Sequence, residues 1–216
     1  MKTQLKHLAI VLDGNRRFAK RLMLEPWRGH ELGAEKVEYL IDWCIELGIK
    51  QVTLYCFSLE NFNRPKKEFD YLMDLFKKEF SAMLKNGKIF KNKIRVRFAG
   101  KLDLLDSELQ GILKQLEEAT SSFKEGNVNF CLAYGGRQEI VGAVEKLVAN
   151  KLPINEENIA KELWISSNPD LIIRTGGEKR TSNFLMWQSA YSEWIFLDKT
   201  WPEFTREDLI TCIAEY

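Results

Sequence analysis

The strongest constraint on the fold of this chain is its alternation of short, near-continuous apolar runs with longer amphipathic stretches. The runs cover His7–Leu12, Gln51–Phe57, Ile94–Ala99, Val128–Ala133, Leu171–Arg174 and Trp194–Phe196. Between and after them the apolar spacing is helical, at Glu31–Leu47, Lys66–Leu84, Lys101–Phe123, Gln138–Val148, Glu156–Leu163 and Arg206–Ala214. Strands that are apolar on both faces and separated by helices predict a parallel sheet covered on both sides. No linker, repeat or low-complexity tract interrupts the pattern, so residues 1–216 read as a single α/β domain. At 45% hydrophobic residues the chain can bury a sizeable core.

In folds of this class function gathers at the carboxyl ends of the strands. The polar constellations of this sequence fall there. Leu12 leads into Asp13-Gly14-Asn15-Arg16-Arg17, and Phe57 into Ser58-Leu59-Glu60-Asn61-Phe62-Asn63-Arg64-Pro65. Ala133 leads into Tyr134-Gly135-Gly136-Arg137, and Ile173 into Arg174-Thr175-Gly176-Gly177-Glu178-Lys179-Arg180-Thr181-Ser182-Asn183. The last stretch sets two guanidinium groups and a hydroxyl around paired glycines. Glycine lets backbone N–H groups approach a ligand closely, and the arginine fork matches phosphate oxygens. It reads as an anion site suited to a diphosphate, against the plainer reading of an Arg-rich surface loop.

Asp13, at the first strand end, can hold Mg²⁺ through one oxygen and leave the other positions to water and phosphate. Arg17 can neutralise the same anion, and Gly29, before a helical pattern, offers a second N–H cradle. Each motif also has a local explanation as a turn or helix cap. Their convergence on one sheet edge favours the ligand reading.

Other signals set limits. Thirty-two Lys and Arg against 31 Asp and Glu leave a net charge of +1, so no overall field points to nucleic acid. His7 and His30 are too few and too far apart for a zinc site. Cys44, Cys56, Cys131 and Cys212 form no C-x-x-C pair, and the first three read as buried free thiols in a reducing compartment. No run approaches the roughly 18 apolar residues of a membrane span, and Met1-Lys2-Thr3-Gln4 leaves no room for a signal peptide. The expectation is a cytoplasmic protein. Phe69, Leu72, Met73, Phe76, Phe80, Met83 and Leu84 form a helical stripe that suits core packing. Phe69, Met73, Phe76 and Phe80 in particular could wall an elongated apolar cavity.

Taken together the motifs resemble the five blocks of the cis-prenyltransferases, the undecaprenyl diphosphate and dehydrodolichyl diphosphate synthase family. The matching residues are Asp13-Gly14-Asn15-Arg16-Arg17, Gly29-His30 with Gly33, Ser58 to Pro65, Tyr134 to Arg137, and Asp170 to Phe184 with Glu193 and Trp201-Pro202. The blocks keep the family's order and span nearly the whole chain. The resemblance implies a six-stranded, mostly parallel sheet flanked by helices, an apolar tunnel and a homodimer. It implies an Mg²⁺-dependent reaction in which isopentenyl diphosphate adds to an allylic prenyl diphosphate (farnesyl or geranylgeranyl), building a poly-cis chain.

Carried over residue by residue, Asp13 is the metal-linked carboxylate, with Glu193 assisting near the dimer contact. Asn15, His30 and Asn61 are catalytic helpers. Gly14, Gly29, Arg17 and His30 hold the allylic diphosphate, and Arg174, Arg180 and Ser182 the isopentenyl diphosphate. Ser58, Asn61, Phe62 and Arg64 organise the loop between them. Arg16 joins the substrate-binding set, although it stands where bacterial members commonly carry glycine; Asn-Arg-Arg is more like archaeal and eukaryotic-type sequences.

The proton lost from the isopentenyl unit has two candidate acceptors, the released pyrophosphate and an Asn15–His30 relay through water. A non-catalytic partner subunit is the alternative, but it needs none of Asp13, Asn15, Arg17, Arg174 and Arg180. A short-chain cis-prenyl transferase with another acceptor is a second alternative. Because the product is a lipid, transient peripheral contact with a membrane is expected.

Overall fold

A computed structural model describes residues 4–85 and 87–216. Six strands, β1 (His7–Val11), β2 (Gln51–Tyr55), β3 (Ile94–Ala99), β4 (Gly126–Cys131), β5 (Leu171–Arg174) and β6 (Glu193–Phe196), form one sheet in the order β3-β4-β2-β1-β5-β6. Every pairing is parallel. The helices are α1 (Asn15–Arg21), α2 (Arg28–Leu47), α3 (Lys66–Lys85), α4 (Gly87–Lys91), α5 (Ser107–Thr120), α6 (Gly136–Ala149), α7 (Glu156–Glu162) and α8 (Arg206–Glu215). Among the described residues no helix is long and apolar enough to cross a membrane.

The period-2 alternation of side chains divides the core into two. Leu8, Ile10, Val52, Leu54, Val128 and Phe130 face one way, into a large cluster with Val37, Leu40, Leu72, Phe80 and Leu109 from α2, α3 and α5. Ala9, Val11, Tyr55, Cys131 and Ile172 face the other way, against Tyr134, Ile165, Phe184 and Leu185. The sheet order departs in opposite directions from β1 and β5, which lie side by side with Val11 in register with Arg174. That is the topological switch point, where an open parallel sheet leaves a crevice.

Some boundaries differ from the sequence pattern. The helix expected over Lys101–Phe123 is broken: Leu102–Leu104 is a single 3-10 turn, Leu105 is extended, and α5 begins after Asp106, which accepts from the Leu109 N–H at 3.0 Å. Charged residues on that turn continue the helical spacing and hide the cap. Helix α2 begins at Arg28, three residues earlier than its apolar period shows, because its first turn is polar.

The strands are also less apolar than they read. A polar row crosses the second face, where His7 Nε2 lies 2.8 Å from Thr53 Oγ1, which also accepts from Asn129 Nδ2 at 2.8 Å. Burial lowers the His7 pKa from 6.5 to about 4, although an Asn168 backbone hydrogen bond and the Asp170 charge oppose the shift. The unfolded chain therefore binds a proton that the folded chain refuses. Stability from a neutral His7 is complete above about pH 6.5 and is lost as pH falls toward 4. Urea titrations between pH 7 and 4 are expected to show this loss, with a shallower slope in His7→Gln; parallel slopes would overturn it.

Candidate active site

The turn after β1 carries Asp13, and the turn after β5 sets Arg174 beside it. Asp13 Oδ2 accepts from Arg174 Nη2 at 2.8 Å. Asp13 Oδ1 accepts from the Gly14 N–H at 2.6 Å and lies 3.2 Å from Arg17 Nη2. Arg174 is almost fully buried, and it also donates through Nη1 to Ser182 Oγ at 2.7 Å and to the Arg180 carbonyl. Its Nε is buried with no partner among the described residues. Glu178 accepts from Arg17 at 2.9 Å and from Arg180 at 2.6 Å, which ties the Gly176-Gly177 loop to α1.

Backbone geometry explains the glycines. Gly14 has φ +100°, and a Cβ there would lie 2.7 Å from Thr200 Cβ; at Gly176 (φ +91°) it would lie 2.7 Å from Arg17 Nη2. Side chains at either position would push apart the strand ends that form the site.

A cavity of about 910 Å³ opens over these residues. Its lining carries seven Lys and Arg side chains against three carboxylates (Asp13, Glu60 and Glu178), so its local field is cationic although the whole chain is nearly neutral. Asp13, Gly14, Asn15, Arg16, Arg17, His30, Ser58, Asn61, Arg64, Arg174, Arg180 and Ser182 all line it.

Three sequence candidates do not. Gly29 is absent from the cavity lining, and its α-carbon packs on α1: a Cβ there would lie 2.0 Å from the Asn15 carbonyl oxygen, so helix packing requires glycine at this position. Phe62 turns into the core against Phe57 and Phe69, with ring centroids at 5.2 and 5.5 Å. Glu193 opens β6 in register with Leu171, at the amino edge of the sheet, whereas Asp13 follows the carboxyl end of β1. Within one chain it does not join Asp13.

Other lining or supporting groups went unnoticed in the sequence. Glu68, nearly fully buried on α3, accepts from Arg64 Nη1 at 2.6 Å and lies 3.7 Å from His30 Nε2 and 3.6 Å from Arg16 Nε. The His30 ring first, then the Arg64 and Arg16 guanidinium groups, hold its pKa down to about 2. Burial lowers the His30 pKa, so the ring is neutral at pH 7. The Arg64–Glu68 spacing of four residues was the available signal, hidden because the polar face of a helix usually reads as solvated. Lys20 also reaches the cavity, as does Arg137, which the strand-end motif named without giving it a role.

Beneath the anion site lies a smaller cavity, about 90 Å³, walled by Val37, Leu72, Leu75, Phe76, Phe80 and Met83. Leu12, Asn15, His30 and Cys56 line both spaces. Cys56, expected to be buried, is half-buried at this junction. Of the proposed aromatic wall, Phe76 and Phe80 line the cavity. Phe69 and Met73 do not; Phe69 packs on Phe57 and Phe62, and Met73 joins the core. Asn15 donates through Nδ2 to the Leu12 carbonyl at 2.9 Å, and its buried Oδ1 has no partner among the described residues.

Fold and site thus define an α/β protein with a cationic pocket opening onto apolar space. The family described as "Putative undecaprenyl diphosphate synthase" matches residues 11–216. Over 220 residues the chain is 46% identical to the tritrans,polycis-undecaprenyl-diphosphate synthase (geranylgeranyl-diphosphate specific) of Methanopyrus kandleri, covering 98% of this chain and 81% of that protein. It is 42% identical to an isoprenyl transferase of Thermus thermophilus, covering 98% and 85%. The crystal structure of lavandulyl diphosphate synthase from Lavandula x intermedia, in complex with dimethylallyl diphosphate, superposes with a TM-score of 0.93 at 32% identity, covering 98% of this chain and 94% of that one. This chain belongs to the undecaprenyl diphosphate synthase family of cis-prenyltransferases, transferases that make prenyl diphosphates.

Proposed function

We propose that this protein condenses isopentenyl diphosphate onto an allylic prenyl diphosphate and repeats the addition to give a poly-cis polyprenyl diphosphate. The observation that carries this is the junction at Leu12, Asn15, His30 and Cys56, where a cationic pocket meets an apolar cavity. An amphiphile with a charged head and a growing hydrocarbon tail needs both. Geranylgeranyl diphosphate is the proposed primer, by likeness to the archaeal relatives named as specific for it.

Each addition breaks the allylic C–O bond, forms a carbon–carbon bond to the isopentenyl unit and releases a proton from that unit. Negative charge grows on the departing allylic diphosphate, which Arg17 would stabilise as a preformed donor, while Arg174 and Arg180 would hold the isopentenyl diphosphate beside it. Arg174 is oriented before substrate arrives by Asp13, Ser182 and the Arg180 carbonyl. Asn15 stands at the junction with a free acceptor oxygen.

Among the described residues no three His, Cys, Asp or Glu side chains cluster as a ready-made metal site. Asp13 is a single carboxylate, about one-third exposed on the pocket rim. That donor set fits Mg²⁺ arriving with its diphosphate, held by Asp13, phosphate oxygens and water. When bound, the ion would add to the charge stabilisation of the leaving group. Glu193 would reach such an ion only from a second copy of the chain, so the proposed homodimer is the arrangement under which its role survives.

Purified protein with labelled isopentenyl diphosphate, Mg²⁺ and a panel of allylic primers tests this reading. Chromatography is expected to resolve products longer than the primer by successive five-carbon units. Absence of any product with every primer would end it. The same assay tests the apolar wall: Phe80→Ala is expected to lengthen the mean product by one or more units and Leu75→Trp to shorten it. An unchanged distribution in both variants would return these residues to plain core.

A further inference from the structure

Helix α1 ends in a turn whose geometry is unusual for its sequence. The Met23 N–H donates to the Lys20 carbonyl at 3.1 Å and the Leu24 N–H to the Ala19 carbonyl at 2.9 Å, the paired bonds of a Schellman cap. The cap position is left-handed, with φ +55°, and Met23 occupies it. Glycine, or failing that asparagine, is the residue this conformation favours, and a methionine there costs energy that glycine would not. The Met23 side chain recovers none of it within the chain, being 95% exposed, and its neighbours Leu22 and Leu24 are 51% and 45% exposed. Three consecutive large apolar residues thus stand in solvent on a backbone fixed by hydrogen bonds.

The tip has a definite setting. Leu24, Lys20 and Pro26 line the rim of the anion pocket, whereas Leu22 and Met23 point clear of it. From Arg16 to Arg28 the chain carries five cations, Arg16, Arg17, Lys20, Arg21 and Arg28, against the single acid Glu25. Arg16 pairs with Glu68, Arg17 with Asp13 and Glu178, Arg21 with Glu203 and Arg28 with Glu31, and all four arginines stay about half exposed. Lys20 is exposed and forms no ion pair among the described residues. An apolar tip flanked in sequence by the exposed Lys20 and by the half-exposed Arg16, Arg21 and Arg28 is complementary to a bilayer with anionic headgroups. The apolar side chains enter the acyl boundary while Lys20 and the exposed sides of those arginines meet the phosphates.

The geometry points to the Leu22-Met23-Leu24 tip as a membrane-docking element that sets the pocket mouth against an anionic lipid surface. This rests on the proposed function for its purpose, since a prenyl diphosphate primer partitions into bilayers and would enter from there. The binding itself is measurable without turnover.

Co-sedimentation with phosphatidylcholine vesicles, with and without phosphatidylglycerol, tests the inference. Wild-type protein is expected to partition onto the anionic vesicles and much less onto the neutral ones. Leu22→Gln/Met23→Asn is expected to lower that partitioning by about tenfold or more, since two apolar side chains no longer enter the bilayer. Asn tolerates the left-handed conformation, so the melting temperature should hold or rise, and Met23→Gly provides a second variant with the same expectation. Condensation with a short, water-soluble primer should be unchanged in both.

Wild-type protein that ignores anionic vesicles, or a double variant that binds them equally well, would overturn the inference. So would a change of oligomeric state in the double variant without vesicle binding, which would assign the tip to a protein contact. Vesicle binding by a protein that makes no product would instead sink the proposed activity and leave the docking element standing.

Discussion

Asp13→Ala is expected to lower condensation on the order of 10³-fold while the protein stays folded. The carboxylate lies on the pocket rim, about one-third exposed, so its removal opens no core cavity. Arg174 would keep its bonds to Ser182 and to the Arg180 carbonyl, so the buried guanidinium is not stranded. What disappears is the oxygen that pairs with Arg174 and that Mg²⁺ would share with the diphosphate. Residual turnover should therefore be insensitive to added Mg²⁺, whereas chelation should bring the wild type down to the same level. Near-normal, metal-responsive turnover in the variant would remove Asp13 from the chemistry, and a large fall in melting temperature would make its role structural.

Glu139→Ala is expected to have the largest effect on stability, a loss of about 3–5 kcal/mol. Glu139 is buried on α6 beneath the Tyr134-Gly-Gly-Arg137 turn. It accepts from the Tyr134 hydroxyl, from Gln188 Nε2 at 3.1 Å and from the Ile165 N–H at 2.8 Å. Alanine would leave those donors without their acceptor in an apolar setting and a hole beside them. Glu139→Gln keeps one acceptor oxygen and should lose less. Chemical denaturation of the three proteins decides it, and an alanine variant within about 1 kcal/mol of wild type would show that water or repacking satisfies the donors. The consequence reaches the pocket, because the Tyr134 carbonyl accepts from the Leu59 N–H at 3.0 Å and so anchors the Ser58–Arg64 loop.

Much of this was legible in the residues. Apolar runs located six strands, and the polar residues after them located the pocket, because a parallel sheet has one edge where strand ends and loops converge. Asp13 and Arg174, 161 positions apart, could be paired on that logic before their 2.8 Å contact was seen. What escaped were partners that depend on tertiary packing. Glu68 reads as one more charge on an amphipathic helix until His30 of α2 and Arg64 close over it. Gly29 suggests a cradle, and nothing local shows that α1 also packs against its α-carbon. Glu193 follows a recognisable motif, but its position at the start of β6 puts it at the far edge, a matter of register that no local pattern encodes.

The pairing of β1 with β5 also bears on how the chain is made. The first strand leaves the ribosome with one flank open, and its neighbour, in register Val11 to Arg174, is encoded 163 positions later. At roughly 5–20 residues per second that flank waits about 8–30 s for cover. During synthesis, then, the four strands β1 to β4, two-thirds of the sheet, emerge with that border open, and the strand that shields it is the one that delivers Arg174. Closure of the sheet and assembly of the pocket are the same late event.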